Sequence, residues 1–330
     1  MTNKAFHIDK LNIGLILLSA LLAYLFPLAL FILAFAILGP LHYLTEINWL
    51  HNKAYFFTTK NWIWLSIALL CTTFLILPKV YLFAPADDGS LSLLMTKVNN
   101  WSNSLIFLTL CLAAGYQFIK SKLVWVILII LAIAGALLLQ EAELYNVIIG
   151  IFIPTIIHVY FFTLIFMLYG AKKSKSKFGY LSVALAVLIP LLLFFIPVER
   201  GSYLFNDQMK QIFIDNNFHV SPVLFAKYLG LSDGKTFYFY ESLELKLMMF
   251  LSFIYCYHYL NWFSKTTVIK WHKQLNYKTT IAIILVWAIN LSLFYYDFKI
   301  GLLFTLFFSF THVLLEFPLN MMTFKGLLKR

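Results

Sequence analysis

Charge is scarce in this sequence. Only 12% of its 330 residues are charged, about half the share of an ordinary soluble domain. The acidic sign is the scarcer one, with 14 Asp and Glu against 25 Lys and Arg. Water is therefore excluded as the main solvent of the folded chain. Cysteine is scarce as well: Cys71, Cys111 and Cys256 each sit in an apolar run, at spacings that fit neither a zinc ribbon nor a redox pair. They are expected as buried thiols. No HxxxH, HExxH, GxSxG or Walker sequence occurs, which removes the clustered-histidine desaturases, the zincins, the serine hydrolases and the P-loop enzymes.

What is present is long apolar runs. Hydrophobic residues make up 62% of the chain, and Leu28 to Leu38 is unbroken. A helix needs about 20 such residues to cross a bilayer. Ten spans are predicted at 11–25, 27–49, 61–82, 101–119, 122–140, 146–170, 179–197, 242–264, 278–296 and 298–323. The fold class is thus an all-α, polytopic membrane bundle, read as one transmembrane domain over 1–330 with a polar extracytoplasmic loop at about 198–241. The first run has no small-residue cleavage site before the second begins, so it is read as a retained helix and not as a signal peptide.

Short loops then set direction. With the N-terminus inside, the inner turns collect Lys53 and Lys60, Lys120 and Lys122, Lys172 to Lys177, and Lys265 to Lys278, and the tail adds Lys325, Lys329 and Arg330. The outer side receives Asp87, Asp88, Glu141, Glu143 and Asp297, along with Glu199 to Glu241 of the long loop; Lys79, Lys97 and Lys299 run against this majority. The positive-inside bias places both termini in the cytoplasm. It also accounts for the net charge of +11 without nucleic acid. The expected surroundings are membrane lipids, in a bacterial inner membrane, and the sequence leaves the oligomeric state open.

Four of the eight histidines fall inside spans: His42, His158, His258 and His312. All four helices run from outside to inside, and counting from their outer ends puts the four within about 6 Å of one depth. Ionisable groups in the hydrocarbon layer are costly and face a bundle interior. Neutral imidazoles from several helices suit a transition metal, so the four are candidate metal ligands. The bland alternative is that each bonds separately across helices. Glu46 and Glu316 each follow a histidine by one turn and are candidates for an additional ligand or for the partner that orients one. Tyr43, Tyr160, Tyr257 and Tyr259 lie close to this level and are candidates for a substrate pocket, although tyrosines of an interfacial belt would read the same way. Gly39-Pro40, Pro154 and Pro318 break helices near three of the histidines.

One histidine per helix, with Gly39-Pro40-Leu41-His42 early in the chain and Glu46 after it, resembles the Brp/Blh family of membrane β-carotene 15,15'-dioxygenases. That family usually has Gly-x-Pro-His-Gly, whereas here the proline precedes His42 by two positions and Tyr43 replaces the glycine. The resemblance implies a non-haem Fe(2+) held by histidines, and a dioxygenase that acts on a carotenoid. On the residues alone three functions stand open. They are an iron oxidoreductase or oxygenase acting on a lipophilic small molecule, a haem-binding electron carrier, and a proton-coupled transporter using its intramembrane histidines.

Overall fold

The structure is a computed structural model that describes residues 2–52, 61–83, 89–199 and 201–328. Lys53, Lys60, Asp87, Asp88, Lys329 and Arg330 lie outside the described residues. Among the described residues every regular element is helical and there is no strand. Hydrocarbon offers no hydrogen bonds, so a spanning segment has to satisfy its backbone internally, as a helix does. Among the described residues, eight helices are long and apolar enough to cross a membrane. Two more stand where the sequence predicts spans: Ser102–Phe118, of 17 residues, and Ser242–Ser264, which carries Glu244 and Lys246 near its start. Together these helices point to an integral membrane protein. A further helix, Ser90–Asn100, buries none of its residues and lies between two predicted spans.

The chain divides into two compact units, Met1–His42 with Thr155–Lys273, and Tyr43–Pro154 with Gln274–Arg330. The first unit is built around Ser242–Ser264. Every residue from Leu247 to Tyr259 in it is buried, as expected of a helix that is apolar on all sides. Small and polar side chains allow close approach to it. Ser19 lies 3.7 Å from Cys256 through Oγ and Sγ, and Ser252 donates to the Pro27 carbonyl. Phe31 meets Tyr255 edge-on at 5.2 Å.

The loop read as polar is only partly so. It forms Asp207–Asp215 and Val220–Tyr228, the first capped by Asn206, whose side chain accepts from the Gln208 N–H at 2.8 Å. Phe213, fully buried, gathers Phe218, Phe237, Phe239 and Phe31 around it. Tyr203 donates to the Tyr24 carbonyl at 2.8 Å, and burial pushes its phenol up to about 12.

The second unit is built around Phe298–Leu328, of 31 residues, about 46 Å long. Residues Thr311 to Asn320 are all buried. Asn290 and Thr305 exchange hydrogen bonds at 2.8 and 3.0 Å, Thr311 donates to Thr72 at 3.2 Å, and Lys325 donates to the Gln117 carbonyl. Gly301 is required where this helix turns back on Tyr277–Tyr296, since a Cβ there would stand 2.7 Å from the Phe294 nitrogen. By contrast, Lys122–Leu139 buries only Ala132 and Ala136 and turns Leu123, Ile130, Leu131 and Leu138 outward, which suits contact with lipid.

Proline inside a helix frees the carbonyl four residues earlier. In two helices a side chain from elsewhere in the same unit takes that carbonyl. Pro190 frees Ala186, whose oxygen accepts from Tyr160 at 3.0 Å. Pro318 frees Leu314, whose oxygen accepts from the Trp64 indole N–H at 3.1 Å. Near Pro40 and Pro154 the backbone answers differently, by winding as a π-helix over Ala34–Leu38 and Ile148–Phe162.

Two outcomes follow from these contacts. Tyr160→Phe should cost about 1–3 kcal/mol, the usual range for orphaning a buried acceptor. That cost should largely vanish in a Pro190→Ala background, where the helix can bond Ala186 itself; equal losses in both backgrounds, read by unfolding in detergent, would remove the assignment. The topology is checked separately with thiols in a cysteine-free chain. Asp233→Cys should react with an impermeant reagent added outside intact cells and Lys175→Cys should not.

Candidate metal centre

His42 lies in the first turn of Gly39–Asn52, directly after the π-wound turn. His258 lies in the fully buried stretch of Ser242–Ser264, and His158 in the π-helix Ile148–Phe162. All three belong to the first unit, and all are buried, at 1%, 8% and 2% exposure respectively. The Nε2 atoms of His42 and His258 are 3.1 Å apart, with the rings nearly perpendicular at 79°. His158 stands edge-on to His258, ring centroids 5.2 Å apart.

The tautomer of His258 follows from its neighbour. Thr163 places its hydroxyl 2.8 Å from the Val159 carbonyl, which can only accept. Its single proton is used there, so the Thr163 oxygen is left to accept, and it lies 2.7 Å from His258 Nδ1. His258 therefore donates from Nδ1 and presents the lone pair of Nε2 towards His42. Metal-binding histidines are held in this way, with the remote ring N–H donated to an oxygen that fixes the ring. Two ligand nitrogens each about 2.1 Å from a shared ion and 3.1 Å apart would subtend an angle of about 95°. The buried histidine nitrogens His42 Nε2 and His258 Nε2 thus meet the spacing that a metal ion requires.

Aromatic side chains enclose the pair. Tyr259 lies 5.3 Å from His42 and 5.4 Å from His258, and Trp262 lies 5.4 Å from His42, all between ring centroids. Two other candidate pocket tyrosines have their hydroxyls engaged, Tyr160 with the Ala186 carbonyl and Tyr257 with Asn12 at 3.4 Å and the Met167 sulfur at 3.3 Å.

The remaining candidates belong to the second unit. His312 is 1% exposed and stacks on Tyr43 with centroids 4.3 Å apart and planes 21° apart. Its Nδ1 is 3.3 Å from the Phe308 carbonyl. A carbonyl has no proton to give, so Nδ1 donates, and Nε2 is again the nitrogen with the lone pair. Glu46 and Glu316 are buried at 3% and 5% exposure. Of the histidines outside the bilayer reading, His51 ends the helix Gly39–Asn52 and packs on Trp62, and His272 is exposed and donates to the Thr266 carbonyl.

Thr163, Tyr259 and Trp262 therefore carry the setting of the pair. Tyr259 was legible in the sequence as a pocket candidate, whereas Thr163 carried no signal, being 95 residues from His258.

No protein-family model, curated protein or solved structure matches this chain.

Thr163→Val removes the acceptor of His258 Nδ1–H while keeping the side-chain shape. It should weaken metal binding by about 10–100-fold, with Thr163→Ser restoring most of it, as read by titrating the purified protein with Co(II) and following its ligand-field bands. Equal affinity in the Val variant would show that Thr163 does not orient a ligand.

Proposed function

We propose that this protein is a membrane-embedded non-haem metal oxidoreductase, an oxygenase whose ion is iron, acting on a lipophilic substrate such as a carotenoid or another isoprenoid or lipid. The observation that carries the reading is the pair of buried nitrogens, His42 Nε2 and His258 Nε2, 3.1 Å apart with the His258 lone pair directed by Thr163. Neutral nitrogen donors suit Fe(II). His158, edge-on to His258, and His312, offered by the depth count along the sequence, are the further candidate donors. The resemblance of Gly39-Pro40-Leu41-His42 to the Brp/Blh pattern supports the same chemistry. When bound, iron would supply the redox reaction with dioxygen.

The chain's own residues have three tasks in this reading. His42 and His258 hold the ion, and Thr163 keeps the His258 proton on Nδ1. Tyr259 and Trp262, packed against the histidine rings, restrict water and offer an apolar wall to a substrate arriving from the bilayer. The haem alternative fits this pair poorly. The two nitrogens are only 3.1 Å apart, which leaves no room for a macrocycle between them.

Elemental analysis of purified protein should find iron and no intense haem band, and His258→Ala should lose most of that iron. In cells that make β-carotene, expression should bleach the colour and His258→Ala should not. Bleaching that survives the substitution would dismiss the histidine site. Full iron occupancy without bleaching would dismiss carotenoid and direct the search to other lipids.

A further inference from the structure

The second unit holds a polar group that the histidine reading does not use. Glu46 and Glu316 are 3% and 5% exposed, and each follows by one helical turn one of two rings that stack on each other, Tyr43 and His312, with centroids 4.3 Å apart. One turn beyond Glu316, Asn320 is 1% exposed, and among the described residues neither its amide nitrogen nor its amide oxygen has a hydrogen-bond partner. A helical side chain leans towards the N-terminus of its helix, so Asn320 reaches back over the turn that carries Glu316. Burying a primary amide with both ends unmade is costly, and native interiors seldom leave such a group without a ligand, a water or an ion.

We propose that Glu46, Glu316 and Asn320 form an oxygen-lined cation site in the second unit, additional to the histidine pair and selective for a divalent ion of the Mn(II) or Mg(II) class. The donor set decides the class. Two carboxylates and an amide carbonyl are hard oxygen ligands, preferred by Mg(II), Ca(II) and Mn(II) over the softer metals that imidazole favours. Charge decides the valence, because two carboxylates and one dication sum to zero, which lowers the cost of holding them in a low-dielectric interior. Asn320 completes the set as a neutral donor, turning its oxygen to the ion. Placed on Phe298–Leu328 next to Pro318 and on Gly39–Asn52, the ion would join two helices that meet in the core of this unit.

The full-length protein, stripped with chelator in detergent, is titrated with Mn(II), and free ion is read from its paramagnetic resonance signal. Wild type should take up one equivalent more than Glu46→Gln/Glu316→Gln, and Asn320→Leu should weaken that equivalent at least tenfold. His42→Ala/His258→Ala should keep it, so this site and the histidine reading fail separately. Asn320→Asp should tighten Mn(II) binding, a gain that a misfolded bundle cannot produce. Equal stoichiometry in wild type and the Gln double variant would overturn the proposal, as would an Asn320→Asp variant that binds no more tightly than wild type.

Discussion

Inside hydrocarbon, a polar group finds its partner within the protein or goes without. That constraint explains more of this molecule than hydrophobic burial does, because apolar helices gain little from one another when the surroundings are equally apolar. Tyr160 and Trp64 are spent on carbonyls that Pro190 and Pro318 release. Asn290 closes on Thr305, and the hydroxyl of Thr163 serves two groups, giving its proton to Val159 and its lone pair to His258. The last of these fixes a tautomer, so the rule that satisfies the backbone also leaves a buried nitrogen lone pair that could hold a metal.

Each unit places a histidine in the stretch of helix that is buried on every side, His258 within Leu247 to Tyr259 and His312 within Thr311 to Asn320. Both rings donate from Nδ1 to an oxygen of their own unit and keep the Nε2 lone pair. A ring held at both its apolar faces and its N–H has little freedom to turn, so either nitrogen can ligate without ordering a loop first.

The helices were legible because runs of about 20 apolar residues are unambiguous, and counting along those runs singled out the four histidines as a group. The pairing of His42 with His258 follows from depth only in outline, since depth says nothing about which way a ring faces. Thr163 was hidden for that reason: its role depends on two helices distant in sequence. Within 198–241 the meeting of Phe213, Phe218, Phe237 and Phe239 was hidden as well, because they have no common period and come together only once the loop folds. Proline marked where helices would be disturbed, but not how. Two of the disturbances became π windings, and a third stayed α-helical because Trp64 stood in reach.

The π turn at Ala34–Leu38 lies immediately before the helix whose first turn carries His42. Such a turn amounts to an α-helix carrying one surplus residue, so everything beyond it is rotated by about 100°, the angular step of a single residue. The compass bearing of His42 thereby depends on how this turn winds: straightening it to ordinary winding at full length would swing the imidazole off His258 onto a neighbouring face, whereas losing one residue between Ala34 and Leu38 would remove the surplus and keep the bearing. Substitutions in this turn are tolerable where they keep the volume. An insertion, which would add a further step of about 100°, is not.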